Sequence, residues 1–210
     1  MASTLFPIAW LLAGGAAGWF LRWGSVRLAR LEGLETGNLR WQVFGPPILT
    51  ALLFGVFAFH FGPEASLFLR SLFILVLVQV IFFDFEQRLI LDRVMFPAMA
   101  VALVASLFRD PWWAGIAAGL GAGLLFLGLA LAGSAIFKAE ALGFGDVKLA
   151  AFMGLLLGPL PTAQALFYGV FMAGVVSIGM IVWRRSLKGT LAYGPYLAAG
   201  AIIVLYLLAS

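Results

Sequence analysis

The nine Asp and Glu residues of this 210-residue chain are Glu32, Glu35, Glu64, Asp84, Glu86, Asp92, Asp110, Glu140 and Asp146. Five of them fall in two short polar connections, with Asp84, Glu86 and Asp92 in one and Glu140 and Asp146 in the other. Asp84 directly follows the apolar run LFILVLVQVIFF, and Asp146 lies in LGFGDVKLAAFMG, where another apolar run begins. A carboxylate at that depth costs about 3 kcal/mol unless it faces water or shares its proton, which marks both aspartates as functional candidates. Two aspartates from different helices, close enough to share one proton, perform aspartyl protease chemistry. Like charges in a low dielectric cannot both ionise, so one stays protonated to polarise the scissile carbonyl while the other activates water. Gly143 and Gly145, just ahead of Asp146, would let an extended substrate backbone come close to that carboxylate. The competing reading makes all five acids solvated loop charges balanced by Arg88, Arg93, Lys138 and Lys148. It fits Glu86 and Asp92 as well as a site role does, and fits Asp84 and Asp146 poorly.

Other chemistries are excluded by residue type. Cysteine is absent, which removes disulfides, thiolate metal sites and a cysteine nucleophile, and the single histidine, His60, cannot build a multi-histidine metal site. His60 reads as an interfacial residue near the outer end of a span. Lys148 reads as a partner for a carboxylate or lipid phosphate, or as a snorkelling side chain.

The elements that must position these residues are membrane spans. The chain is 64% hydrophobic and 10% charged with a mean hydropathy of +1.10, against about 25% charged for a soluble domain, which excludes an ordinary water-soluble enzyme. Apolar runs between charges, Gly and Pro predict eight spans, near 5–23, 44–61, 67–83, 94–108, 113–137, 147–157, 163–183 and 190–208. The sixth is short for a full crossing, so it must borrow residues from its flanks or sit in a protein-lined region. The opening MASTLFPIAW lacks a basic start and reads as leading into the first span rather than as a cleaved signal.

Alternate connections carry Arg27, Arg30 and Arg40, then Arg88 and Arg93, then Lys138 and Lys148, then Arg184, Arg185 and Lys188, against only Arg70 and Arg109 on the opposite set. The positive-inside rule makes the first set cytoplasmic and both termini non-cytoplasmic. The net charge of +4 is thus a matter of orientation, and no nucleic-acid partner is expected. The expected fold is an all-α polytopic transmembrane bundle of about eight spans, a single integral membrane domain over 1–210 with membrane lipids around it. Within it, 24–43 forms a cytoplasmic amphipathic connection with Leu28, Leu31 and Leu34 at helical spacing, and 84–210 is the core carrying both aspartates. Trp23, Trp41, Trp112, Trp113 and Trp183 fall at span ends as interfacial anchors. Gly115, Gly119 and Gly123 have the spacing of a close helix-packing face.

The run KAEALGFGDVKLAAFMGLLLG, 138–158, resembles the second catalytic motif of the type IV prepilin peptidases, bacterial members of the GxGD group of intramembrane aspartyl proteases. FFDFEQRLILDRV resembles their first motif, with Leu91 where the family usually has proline. YGPYLAAGA is similar to the family's closing helix and GPPILTALLFGVFAFHFG to the helix before the first motif. The resemblance spans most of the chain. It implies a multi-pass protease of the bacterial inner membrane, acting near the cytoplasmic face. Such an enzyme removes the short basic leader from prepilins or pseudopilins, cutting after a glycine.

Asp84 and Asp146 would then be the catalytic pair, with Asp92 the fallback partner. Glu86, Asp92 and Glu140 would form an acidic rim for the basic leader, with Gly143 and Gly145 beside the substrate backbone. Proteolysis of this kind needs no metal or cofactor. Many relatives carry a cytoplasmic loop with two Cys-x-x-Cys pairs that binds zinc, together with N-methylation from S-adenosylmethionine. This chain has no cysteine and so no zinc loop, and S-adenosylmethionine would be needed only if methyl transfer is retained.

Two other classes compete. A proton-coupled transporter would place carboxylates near mid-membrane, where the sequence offers only sparse polar groups such as Gln79, Gln164 and Ser177. A non-catalytic assembly partner would use the glycine face and leave the two aspartates without a purpose.

Overall fold

A computed structural model describes residues 2–137, 142–184 and 192–208. Among them the regular elements are helices: α1 (Ala2–Leu31), α2 (Arg40–Phe61), α3 (Ala65–Gln87), α4 (Asp92–Leu107), α5 (Trp113–Phe137), α6 (Phe144–Leu157), α7 (Pro159–Arg184) and α8 (Gly194–Leu207). Two compact units result, one ending at Arg88 and the other running Leu89–Leu208. The domain expected over 1–210 is accordingly described in two parts.

Among the described residues, α1, α2, α3, α5 and α7 are long and apolar enough to cross a membrane, which makes the chain a multi-pass membrane protein. The other three have 16, 14 and 14 residues, and a 14-residue helix spans only about 21 Å of a hydrocarbon core about 30 Å thick.

In the first unit α1 outruns its hydropathy. The separate amphipathic helix expected in the 24–43 connection is not formed, because α1 continues unbroken through Leu28 to Leu31, and the irregular part of the connection is confined to 32–39. The polar residues that look like a membrane exit are buried and matched by α3. Ser25 donates its hydroxyl to Gln79 Oε1 at 2.6 Å, and Arg22 reaches Glu86 at 2.8 Å. A third bond runs from Trp10 Nε1 to Ser71 Oγ at 2.9 Å. In lipid, where apolar surface gives helices little reason to associate, such bonds select the neighbour. Against α2 the device is small residues: a Cβ on Gly18 would lie 2.6 Å from Pro47 Cα.

In the second unit α6 is the central helix. Leu149, Ala150, Phe152 and Met153 are fully buried and Leu155, Leu156 and Leu157 nearly so, with α4, α5, α7 and α8 around it. A helix walled by protein need not match the bilayer, which accounts for its shortness. The glycine face of α5 does what its spacing predicts, since Cβ atoms on Gly119 and Gly123 would meet Leu155 Cγ at 2.8 Å and Ala151 Cβ at 3.2 Å. Gly169 and Gly200 bring α7 and α8 together in the same way. Between α4 and α5, Arg109 donates to the Leu156 carbonyl at the end of α6 at 2.5 Å, meeting one of the acceptors a helix end leaves open. Burial lowers the pKa of its guanidinium. Trp23, Trp41, Trp112 and Trp113 are exposed, as interfacial anchors should be.

Candidate active site

Both key aspartates are buried at helix ends. Asp84 is 6% exposed in the last turn of α3, and Asp146 is 8% exposed in the first turn of α6. The turn that carries Asp84 is closed by its own carbonyl, which accepts the Arg88 N–H at 2.9 Å. Arg88 holds a left-handed conformation at φ 54°, which an L side chain adopts only at a cost of about 1–2 kcal/mol, and it stops the helix there.

Asp146 is presented by a different local device. Gly143 is the N-cap of α6, and its carbonyl accepts the Asp146 N–H at 3.1 Å. The two glycines of the motif divide their work. A Cβ on Gly145 would press on Ile90 Cβ at 2.9 Å, so this glycine lets the buried Ile90 lie against the start of α6. Gly143 is exposed, and a Cβ there would meet Asp146 Oδ2 at 3.7 Å, an ordinary contact. Of the two glycines, only Gly143 leaves its side of the carboxylate uncovered by a neighbouring side chain from the 89–91 segment.

Of the acidic rim, Asp92 stays accessible. Its side chain, 54% exposed in the first turn of α4, pairs with Lys148 Nζ of α6 at 2.5 Å, and the same ammonium lies 5.3 Å from the Phe96 ring. A pair this wet contributes little, so Asp92→Asn is expected to lower stability by no more than about 1 kcal/mol. Thermal unfolding in detergent checks this; loss of folded protein would mean that the pair holds the two helix starts together.

Glu86 is placed differently from expectation. It lies on the last turn of α3, and its side chain is 4% exposed, held by Arg22 and by the Gly37 amide rather than forming part of an open rim. Glu140 lies outside the described residues. Arg22 was missed as a site residue, and the available signal was an arginine inside the apolar run that forms the first span. Among the described residues there is no cluster of three or more His, Asp or Glu side chains suited to a metal ion.

The family model for the type IV leader peptidase family matches residues 71–178. The chain is similar to three curated proteins named prepilin leader peptidase/N-methyltransferase. It is 32% identical over 160 residues to that of Bacillus subtilis (strain 168), covering 74% of this chain and 62% of that one. It is 29% identical over 163 residues to that of Aeromonas salmonicida (strain A449), covering 76% and 56%, and 28% identical over 165 residues to that of Dichelobacter nodosus, again 76% and 56%. The chain spans less than two thirds of the length of these relatives. No solved structure matches it. These matches give the transporter alternative no support. The matched stretch contains both buried aspartates and the Gly143 and Gly145 pair that introduces the second, and with that correspondence the chain belongs to the type IV leader peptidase family.

Proposed function

We propose that this chain is an intramembrane aspartyl endopeptidase that removes the basic leader from type IV prepilins or pseudopilins, with Asp84 and Asp146 as its catalytic pair. The observation that carries this reading is the burial of two carboxylates, 6% and 8% exposed, at helix ends within the family-matched stretch. The two helix ends differ in polarity: Asp146 lies in the first turn of α6, at the positive end of its dipole, whereas Asp84 lies in the last turn of α3, at the negative end. On that ground Asp146 is assigned the base and Asp84 the acid. Asp146 takes a proton from water as the water oxygen attacks the scissile carbonyl carbon, while Asp84 gives its proton to the carbonyl oxygen. The C–N bond then breaks as Asp146 gives its proton to the departing nitrogen and Asp84 takes one back from a hydroxyl of the gem-diol, which leaves a carboxylic acid and an amine and returns the pair to its starting state.

The positive-inside bias supports a cytoplasmic location for this chemistry, in a bacterial inner membrane with non-cytoplasmic termini. The substrate supplies a basic leader that meets Asp92 first, followed by an apolar helix that stays in the bilayer. Methyl transfer is named for the relatives. The groove of about 560 Å³ between α5 and α7 does not fit S-adenosylmethionine. Its lining is apolar except for Thr162, whose hydroxyl donates to the Gly158 carbonyl at 2.5 Å, and it offers nothing to a ribose or a sulfonium.

The test is incubation of the chain in liposomes with a prepilin bearing a basic leader, followed by mass analysis. The expected product is the pilin shortened by its leader, and a further methyl mass on that product with added S-adenosylmethionine would show that methyl transfer is retained. An intact substrate, with the chain shown to be folded, would overturn the reading.

A further inference from the structure

Glu86 is a buried acid whose side chain is 4% exposed, and its surroundings supply a role for it. Its Oε2 accepts Arg22 Nη1 at 2.8 Å, its Oε1 accepts the Gly37 N–H, and Arg22 Nη2 donates to the Gly37 carbonyl at 2.6 Å. The three hydrogen bonds close a ring through α1 at Arg22, the 32–39 connection and the last turn of α3. The ion pair is shielded, with side chains 10% and 4% exposed. The connection is tied down on both sides of Gly37. Gln87 Nε2 donates to the Glu35 carbonyl at 2.5 Å, and Gln42 Oε1 accepts the Leu39 N–H at 2.9 Å. A side chain at position 37 would displace the Gln42 carboxamide, which lies against Gly37 and holds the Leu39 N–H.

We propose that Arg22 and Glu86 are positioning residues for Asp84, forming with the Gly37 backbone a clamp that holds the last turn of α3. The proposal rests on the reading of Asp84 as catalytic. Asp84 lies two residues before Glu86 in that turn, and the last turn of a helix is where its ladder frays. A shielded ion pair is a poor source of net stability compared with apolar packing but a strict source of geometry, since either partner left alone is costly. The acid of a proton-sharing pair needs such geometry, because a displacement of about 1 Å can cost about 100-fold in rate. The clamp also uses Arg22 as a fork, with one nitrogen on the carboxylate and one on a carbonyl, which a lysine cannot reproduce.

The experiment joins kinetics with a label. On a prepilin that the wild type cleaves, Glu86→Gln and Arg22→Gln are expected to lower kcat about 10- to 100-fold with KM changed less than about twofold, and Arg22→Lys to fall between them and wild type. The chain has no cysteine, so Asp84→Cys gives a single thiol whose maleimide labelling in liposomes reports on the turn whether or not the protein is active. Combined with Glu86→Gln, that thiol is expected to label at least about fivefold faster once the clamp is cut. A raised KM with unchanged kcat would instead make Glu86 a leader-binding residue, and unchanged kcat and labelling would remove the clamp from the mechanism. If the wild type cleaves no prepilin, the protease reading fails, and the labelling comparison still decides whether the clamp holds the turn. Should Glu86→Gln fail to accumulate, Arg22→Lys carries both measurements.

Discussion

Asp84→Asn and Asp146→Asn are each expected to lower kcat for leader cleavage by at least about 10³-fold while leaving the apparent Tm within a few degrees of wild type. Asparagine keeps the size and polarity of aspartate and cannot cycle a proton. In the proposed mechanism Asp146→Asn removes the group that takes a proton from water, and Asp84→Asn removes the proton given to the carbonyl oxygen. If the two act as a unit, the double variant should be no more than a few-fold slower than either single one, whereas independent contributions would multiply. Asp92→Asn serves as the comparison, being exposed and already paired with Lys148. Mass analysis of product against time, with size-exclusion profiles and thermal unfolding for each variant, checks all of this. Full cleavage by either single variant would remove that aspartate from the mechanism, and full cleavage by Asp84→Asn alone would bring Asp92 back as the partner of Asp146.

Sequence was most informative where the signal is local. Eight helical segments follow from apolar runs between charges, and both aspartates were placed at helix ends because each borders such a run. The Gly115, Gly119 and Gly123 face could be read from its spacing, since four residues bring side chains back to one side of a helix. What escaped was set by partners far along the chain. Glu86 read equally as a solvated loop charge or as part of an acidic rim because its counter-charge, Arg22, lies 64 residues away and is met only when α1 lies beside α3. The same pairing hid the true end of α1, since hydropathy sees Arg22 and Ser25 as polar and cannot see Glu86 and Gln79 waiting for them. Gly143 and Gly145 were equivalent as letters and differ in structure because Ile90 fills the space beside only the second. The shortness of α6 was visible and a protein-lined position was one of two readings of it, but the choice between them was not, because apolarity alone does not separate a protein neighbour from a lipid one.

The central place of α6 leads to the largest expected effect on folding. Gly154 faces the backbone of α5, and a Cβ there would fall well inside contact distance of Ala118 C and O and of Gly119 N. These are main-chain atoms of a helix, so no rotamer change can make room, and α5 and α6 must move apart. Overpacking of a close-packed interior costs about 1–3 kcal/mol and more when backbone must shift. In a membrane the lost van der Waals contact is not replaced by any gain from burying apolar surface. Gly154→Val is therefore expected to lower the apparent Tm by about 10 °C or to prevent accumulation of folded protein. Gly121 is the internal control. It lies in α5 between two packed glycines, yet a Cβ there meets nothing within 4 Å, and Gly121→Ala should hold or raise Tm by replacing glycine in a helix interior. Thermal unfolding of the two variants in one detergent gives the comparison, and equal Tm values would show that α5 and α6 are not in close contact at Gly154. Activity adds a second distinction: Asp146→Asn should lose cleavage at unchanged Tm. Gly154→Val moves the helix that carries Asp146, and should lose cleavage in proportion to the folded protein it forfeits.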